Sequence, residues 1–155
     1  MTKPTLGLPQ PEQTSSVRDS GSGLDGLHRS EEEQLGVPFH RFQQLKQSNL
    51  GEATRCFADF KTGILRRIEW EEATLFPQFD EKIGVPVGDI TASLRAEHGE
   101  IRAHLEAIEL KLSLQNPTTD SDEAALEALL SAHNHREHDA IYPVFEALKP
   151  EEQSL

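Results

Sequence analysis

Apolar residues recur at steps of three and four along successive stretches of the chain, with short polar breaks between them. Phe57, Phe60, Ile64, Ile68 and Leu75 form one such stripe and predict a helix from about Gly51 to Asp80. Ile90, Leu94, Ile101, Leu105, Ile108 and Leu112 predict the next, from about Gly88 to Leu114. Leu126, Leu130, Ile141 and Leu148 predict the last, from about Ser121 to Leu148. The breaks, IGVPVGD at 83–89 and QNPTTDSD at 115–122, are rich in residues that turn a chain. The first helix is less regular. Leu24, Leu27 and Leu35 suggest one piece and Phe39, Phe42 and Leu45 a second, while Gly36 and Pro38 between them predict a kink or a break. Four helices with short loops predict an all-α, up-down-up-down four-helix bundle over residues 24–150. Residues 1–23, with Pro, Gly, Ser and Thr and little apolar content, predict a flexible tail, and 151–155 a second short one.

Each stripe is interrupted by polar residues. Arg67 and Glu71 fall on the line of the second helix, His98 on that of the third, and His133 and Glu137 on that of the fourth. Burying a carboxylate or an imidazole without a partner costs several kcal/mol for an ion. Groups placed this way must either pair with one another or share a metal ion. Their heights in the bundle agree. His98 and His133 are equidistant from the QNP turn, and Glu71 and His98 from IGVP, so Glu71, His98, His133 and Glu137 should share one layer. His133 and Glu137, four apart, also share a helix face. Two His and two carboxylates at one depth suit iron, manganese or zinc. The Glu-x-x-His pairs of ferritin-like di-iron bundles are absent, as is the His-Glu-x-x-His of zinc proteases.

The rest of the composition narrows the function. Fifteen Lys and Arg against 27 Asp and Glu give a net charge of −12, which opposes binding to nucleic acid or to anionic membrane. No apolar run approaches the roughly 20 residues that span a bilayer, and the opening MTKPTLGLPQPEQTSS lacks the apolar core of a secretory signal. The single Cys56 excludes an internal disulfide and suits a cytoplasmic location.

The segments EEATLFPQFDEKIGVP, SLRAEHGEIRAHLEAI and HNHREHDAIYPVFEAL, in this order and spacing, resemble the hemerythrin-like, HHE cation-binding family over about residues 50–148. The resemblance implies a four-helix bundle around a non-haem di-iron centre, with histidines from all four helices and glutamates from the second and fourth. Position by position, His98, the pair His133 and Glu137, and Glu71 are the metal ligands it implies here. Two family positions differ. Arg67 stands where the second helix should carry a histidine, and on the first helix the matching level falls at Glu31 or Glu32, with His28 about a turn away and His40 more distant. One half of the family's centre is thus missing and the other kept. Arg67, permanently charged and able to grip carboxylates at two points, is expected to replace the second cation, leaving a mononuclear site for iron or zinc. The alternatives are that Arg67 reaches out to solvent, or that it fills the centre and no metal binds.

An internal repeat runs through these motifs. At an offset of 66 residues, Glu71-x-x-x-Leu-Phe-Pro aligns with Glu137-x-x-x-Ile-Tyr-Pro, and Arg67 aligns with His133. Of the neighbouring histidines, His135 should face solvent and His138 lie between, and Glu72 and Trp70 read as flanking contacts. The functional expectations are binding or sensing of a small gaseous ligand, dioxygen or nitric oxide, or iron handling; for a third class, an enzyme in which a lone metal activates water, no substrate pocket can be read from the sequence. The competing expectation is a metal-free structural or interaction bundle, for which a homodimer is one form.

Overall fold

The computed structural model describes residues 23–84 and 89–146, and of residues 23–31 the backbone alone. The tails expected at 1–23 and 151–155 therefore fall, apart from Gly23, outside the described residues. Helix α1 spans Gly23–Leu45 and α2 Leu50–Trp70. A π-helical segment, Glu71–Leu75, then leads straight into α3, Phe76–Ile83. Helix α4 is Asp89–Ser113 and α5 Asp120–Arg136, followed by a second π-helical segment, Glu137–Ile141, and helical residues 142–146. Among the described residues there is no strand. The bundle expected from the stripes is present; the second helix ends within a few residues of its expected bounds, while the expected start at Gly88 and end at Leu148 lie outside the described residues.

Of the kink or break expected at Gly36 and Pro38, the break does not occur: α1 runs unbroken through Pro38. A proline in a helix interior costs about 3 kcal/mol locally. The offset lies next to it: Phe39 and Phe42 are buried, and their rings stand 4.6 Å from Phe60 and 5.1 Å from Phe57 respectively. Leu35, on the other side, packs so closely on α2 that a Cβ at Gly63 would meet its Cδ2 at 2.2 Å. Tertiary burial on both flanks of Pro38 outweighs the local penalty.

The helix ends follow local chemistry. The Asn49 side chain accepts a hydrogen bond from the Glu52 amide at 3.1 Å and starts α2. Gly84, at φ 73°, closes α3 in the left-handed conformation that glycine adopts without strain. At the same end of the bundle as Asn49, the Lys46 ammonium is buried and held by Thr119 at 3.2 Å, Asp120 at 2.5 Å and Glu123. Burial alone would lower the Lys46 pKa, but the hydrogen bonds and charges of Asp120 and Glu123 raise it above its ordinary value. This pins the loop after α1 to the start of α5.

The core is divided. One apolar cluster, with the four Phe rings, Ile64, Ile68, Ile101, Leu105 and Leu126, fills the Lys46 end of the bundle. A second, with Leu75, Phe76, Phe79, Leu94, Ile141 and Tyr142, fills the other end. The polar residues that interrupt the stripes lie between the two.

Candidate metal centre

Glu71, His98, His133 and Glu137 come together as expected. All four are buried, and one ligand atom from each lies within 4.8 Å of the others. His98 Nε2 is 2.7 Å from Glu71 Oε1 and 3.2 Å from His133 Nε2. His133 Nε2 is 2.9 Å from Glu137 Oε2 and 3.2 Å from Glu71 Oε1. Both imidazoles therefore turn Nε2 inward.

Their outer nitrogens are held as firmly. Nδ1 of His98 donates to Glu72 Oε2 at 2.7 Å, and Nδ1 of His133 to Glu97 Oε1 at 2.8 Å. Glu97 is in turn held by Arg136, which also donates to Ser93 Oγ at 2.8 Å. Arg102 lies 3.8 Å from Glu72. A carboxylate on Nδ1 fixes the ring and leaves Nε2 to ligate. The sequence reading gave Glu72 a flanking role and passed over Glu97; the structure makes both outer partners of the histidines. The available signal was adjacency, since Glu97 precedes His98 and Glu72 follows Glu71. Charged residues on a half-exposed helix flank otherwise read as solvated. Phe76 stacks on His98, with centroids 5.6 Å apart at 13°, and walls off one side of its ring.

The π-helical segments help aim these groups. In each, the carbonyl of the carboxylate residue accepts from an amide five residues on, Glu71 from Phe76 and Glu137 from Tyr142. A five-residue turn brings Phe76 and Tyr142 back to the face of Glu71 and Glu137. Each segment is followed by a proline, Pro77 or Pro143, which has no amide to donate backwards. The Glu72 carbonyl, deprived of that donor, faces Arg95 Nη1 at 3.5 Å. Such segments occur often at functional sites.

On the first-helix side the structure shows Glu32 at this level. Its Oε2 is 3.1 Å from Arg67 Nη2. His28 and Glu31 lie among the residues described by backbone alone, and His40 is exposed. Arg67 does not reach to solvent: its side chain is 9 % exposed, with Nε 3.5 Å from Glu71 Oε2 and Nη2 3.0 Å from Asn134 Oδ1 and 3.8 Å from Glu137 Oε1. Glu32 stands 66 residues before His98, as Arg67 does before His133. The repeat thus places an ion pair in one half of the layer where two imidazoles stand in the other. His135 is exposed, and His138 sits half-buried against Tyr142, 3.6 Å from Glu32.

Proton affinities follow from this crowding. Burial would lower the pKa of His133, but hydrogen bonds and charge from Glu137 and Glu71 raise it to about 9. Burial raises Glu137 to about 7, with the Glu71 charge adding and His133 opposing. Burial, then the Glu137 charge, pushes the Tyr142 phenol above its ordinary range, and its hydroxyl points to Glu137 Oε1 at 3.5 Å. A metal ion bound here would displace these protons, because imidazole and carboxylate ligands must be deprotonated.

Compared with known protein families, the chain matches the hemerythrin HHE cation binding domain over residues 23–145. The match covers most of its length, and the chain belongs to that family. No curated protein and no solved structure matches it at a significant level. Among the described residues, no helix is long and apolar enough to cross a membrane.

Proposed function

We propose that this hemerythrin-like protein binds a single metal ion, with iron as first choice and zinc second, through Glu71, His98, His133 and Glu137. The observation that carries this is the convergence of four buried donors in one half of the layer, with the Arg67–Glu32 pair in the other. Two imidazoles and two carboxylates suit a borderline cation in either case. Iron held there would supply a redox-active centre able to take a small gaseous ligand such as dioxygen or nitric oxide. The chain's own residues do the rest. Glu72 and Glu97 fix the imidazoles, Phe76 shields His98, and Arg67 balances the charge of Glu71 and Glu137 from the side where the family's second ion would sit. A lone ion favours sensing or binding over the paired-iron carriage of dioxygen, which needs two metals to share electrons.

The test is metal content per chain after anaerobic reconstitution with ferrous iron and desalting, on wild type and Arg67→His. One equivalent in the wild type is expected, and two would sink the single-ion reading. A second reading, a metal-free structural or interaction module, has one observation in its favour: His98 and His133 already hydrogen-bond Glu71, and His133 pairs with Glu137 at 2.9 Å. No bound metal in reconstituted wild type would establish it.

A further inference from the structure

Helix α4 carries two apolar stripes. One, with Leu94, Ile101, Leu105 and Ile108, is buried in the bundle. The other runs along the opposite side, toward solvent. Ala92, Ala96, Gly99 and Ala103 are exposed on it, and Ala107 is half-buried. It ends with Leu110 and Leu114, whose side chains are 61 % and 68 % exposed. Leu114 lies just past the last residue of α4, but its amide still donates to the Leu110 carbonyl at 3.1 Å, so it keeps the helical track. At about 100° per residue, these positions all fall within about 40° of one line. The solvent face of a helix normally carries its charges, and this line carries none.

The spacing reads the same in both directions. From Ala103 the steps are four, three and four toward Leu114, and four, three and four toward Ala92. A two-fold axis at Ala103 therefore sets an antiparallel second copy at matching levels. Leu114 then faces Ala92, Leu110 faces Ala96, and Ala107 faces Gly99. Each large side chain meets a small one, and Gly99 and Ala103 in the middle allow the two backbones to approach to the near end of the usual 8–10 Å. A parallel pair would set each leucine against itself and leave Ala92, Ala96 and Gly99 facing one another across a gap.

The flanks agree with the antiparallel arrangement. Arg102 and Glu106 border the line on one side, Glu100 and His104 on the other. The two-fold axis turns each flank onto itself, so Arg102 lies beside Glu106 of the second copy, and His104 beside its Glu100, each contact made twice. Both glutamates are exposed. Arg102 is 42 % exposed and stands 3.8 Å from Glu72, so it is free to turn outward.

We propose that the solvent face of α4 is the contact surface of an antiparallel homodimer centred on Ala103, with the leucines of each copy seated over the alanines of the other. The occupant is a second copy of this chain because the face is its own complement in both size and charge. One helix pair lies at the low end of specific interfaces, about 1,200 Å², so monomer and dimer should exchange at micromolar concentrations. The contact does not depend on a metal ion at the centre.

The test is sedimentation equilibrium of the full-length protein between about 1 μM and 1 mM, on wild type, Ala103→Glu and Val37→Glu. Val37, 64 % exposed on α1, controls for the added charge. Circular dichroism confirms that each variant is folded. Wild type and Val37→Glu should dimerise alike, and Ala103→Glu should weaken the dimer at least tenfold. The register is read by cross-linking under mild oxidation, in which the buried Cys56 takes no part. Ala103→Cys should link to itself, whereas Ala96→Cys and Leu110→Cys should link only when mixed. A monomer at every concentration, a dimer that Ala103→Glu leaves intact, or an equal loss in Val37→Glu would overturn the proposal. So would Leu110→Cys linking to itself, which requires the parallel pair.

Discussion

In the hairpin of α4 and α5, positions 98 and 133 hold two imidazoles whose Nε2 atoms stand 3.2 Å apart. In the hairpin of α1 and α2, the related positions hold Glu32 and Arg67, an ion pair at 3.1 Å. The surroundings correspond as well. Glu72 bonds His98 in one half, and its related residue His138 approaches Glu32 in the other. Glu71 and Glu137, each opening a π-helical segment, lie between and serve both halves. One backbone plan thus carries either two imidazoles or a fixed cation with its own counterion. On the single-ion reading proposed above, Arg67 supplies the charge of the absent half-site and the fold is kept.

The sharpest way to break this comparison is to make the halves alike. Glu32→His with Arg67→His should raise metal content from one equivalent to two, and a count still at one would mean that the ion pair is not a replacement for ligands. Next in size, Arg67→Ala should destabilise the metal-free protein by about 3–5 kcal/mol, the cost of leaving buried carboxylates without their partner. Urea denaturation checks this, and added divalent metal should restore part of the loss. Below that comes the outer layer of the histidine half. Glu97→Gln and Glu72→Gln should each weaken metal binding by about 10–100-fold, measured against a competing chelator. Glu97→Gln should be the larger, since Glu97 is anchored by Arg136 and is the less exposed of the two.

The dependence on pH sharpens the same contrast. His133 binds its proton more tightly folded than unfolded, about 9 against 6.5, so its contribution to the metal-free fold is full below 6.5 and fades as pH rises to 9. Glu137, raised from 4.5 to about 7, likewise favours the protonated fold, and that contribution fades between those values. The metal-free protein should therefore melt at falling temperature from pH 5 to 9 while metal affinity rises, a divergence visible in paired thermal scans with and without metal. The smallest effect expected is at Gly36→Ala, where an open position in the interior of α1 should gain about 0.5–1 kcal/mol.

Much of this was legible in the sequence, for reasons that residues make plain. The stripes gave four helices because each buries one apolar face. Counting from the turns brought Glu71, His98, His133 and Glu137 to one level because antiparallel neighbours rise equally from their loop. Glu32 was reached only to within one residue, since no stripe interruption marks it. Pro38 left a kink and a break equally open in the sequence, because its cost is local and the burial of Phe39, Phe42 and Leu35 that keeps the helix unbroken is not. Glu97 left only its place beside His98 as a signal, because its role depends on the reach of a side chain on a polar flank. The π-helical segments left one trace, the repeated aliphatic-aromatic-proline at 75–77 and 141–143.

Those segments also make the chain tolerant of a kind of change that helices usually refuse. Five residues close each of these turns where an α-helix uses about four, so one residue removed between 71 and 75 would restore an α-helical turn and leave Phe76 and Phe79 facing the apolar cluster they fill now. The same holds between 137 and 141 for Tyr142. A residue removed elsewhere in a helix swings everything after it by about 100°, so these two segments are the places within the helices where a change of length can be absorbed.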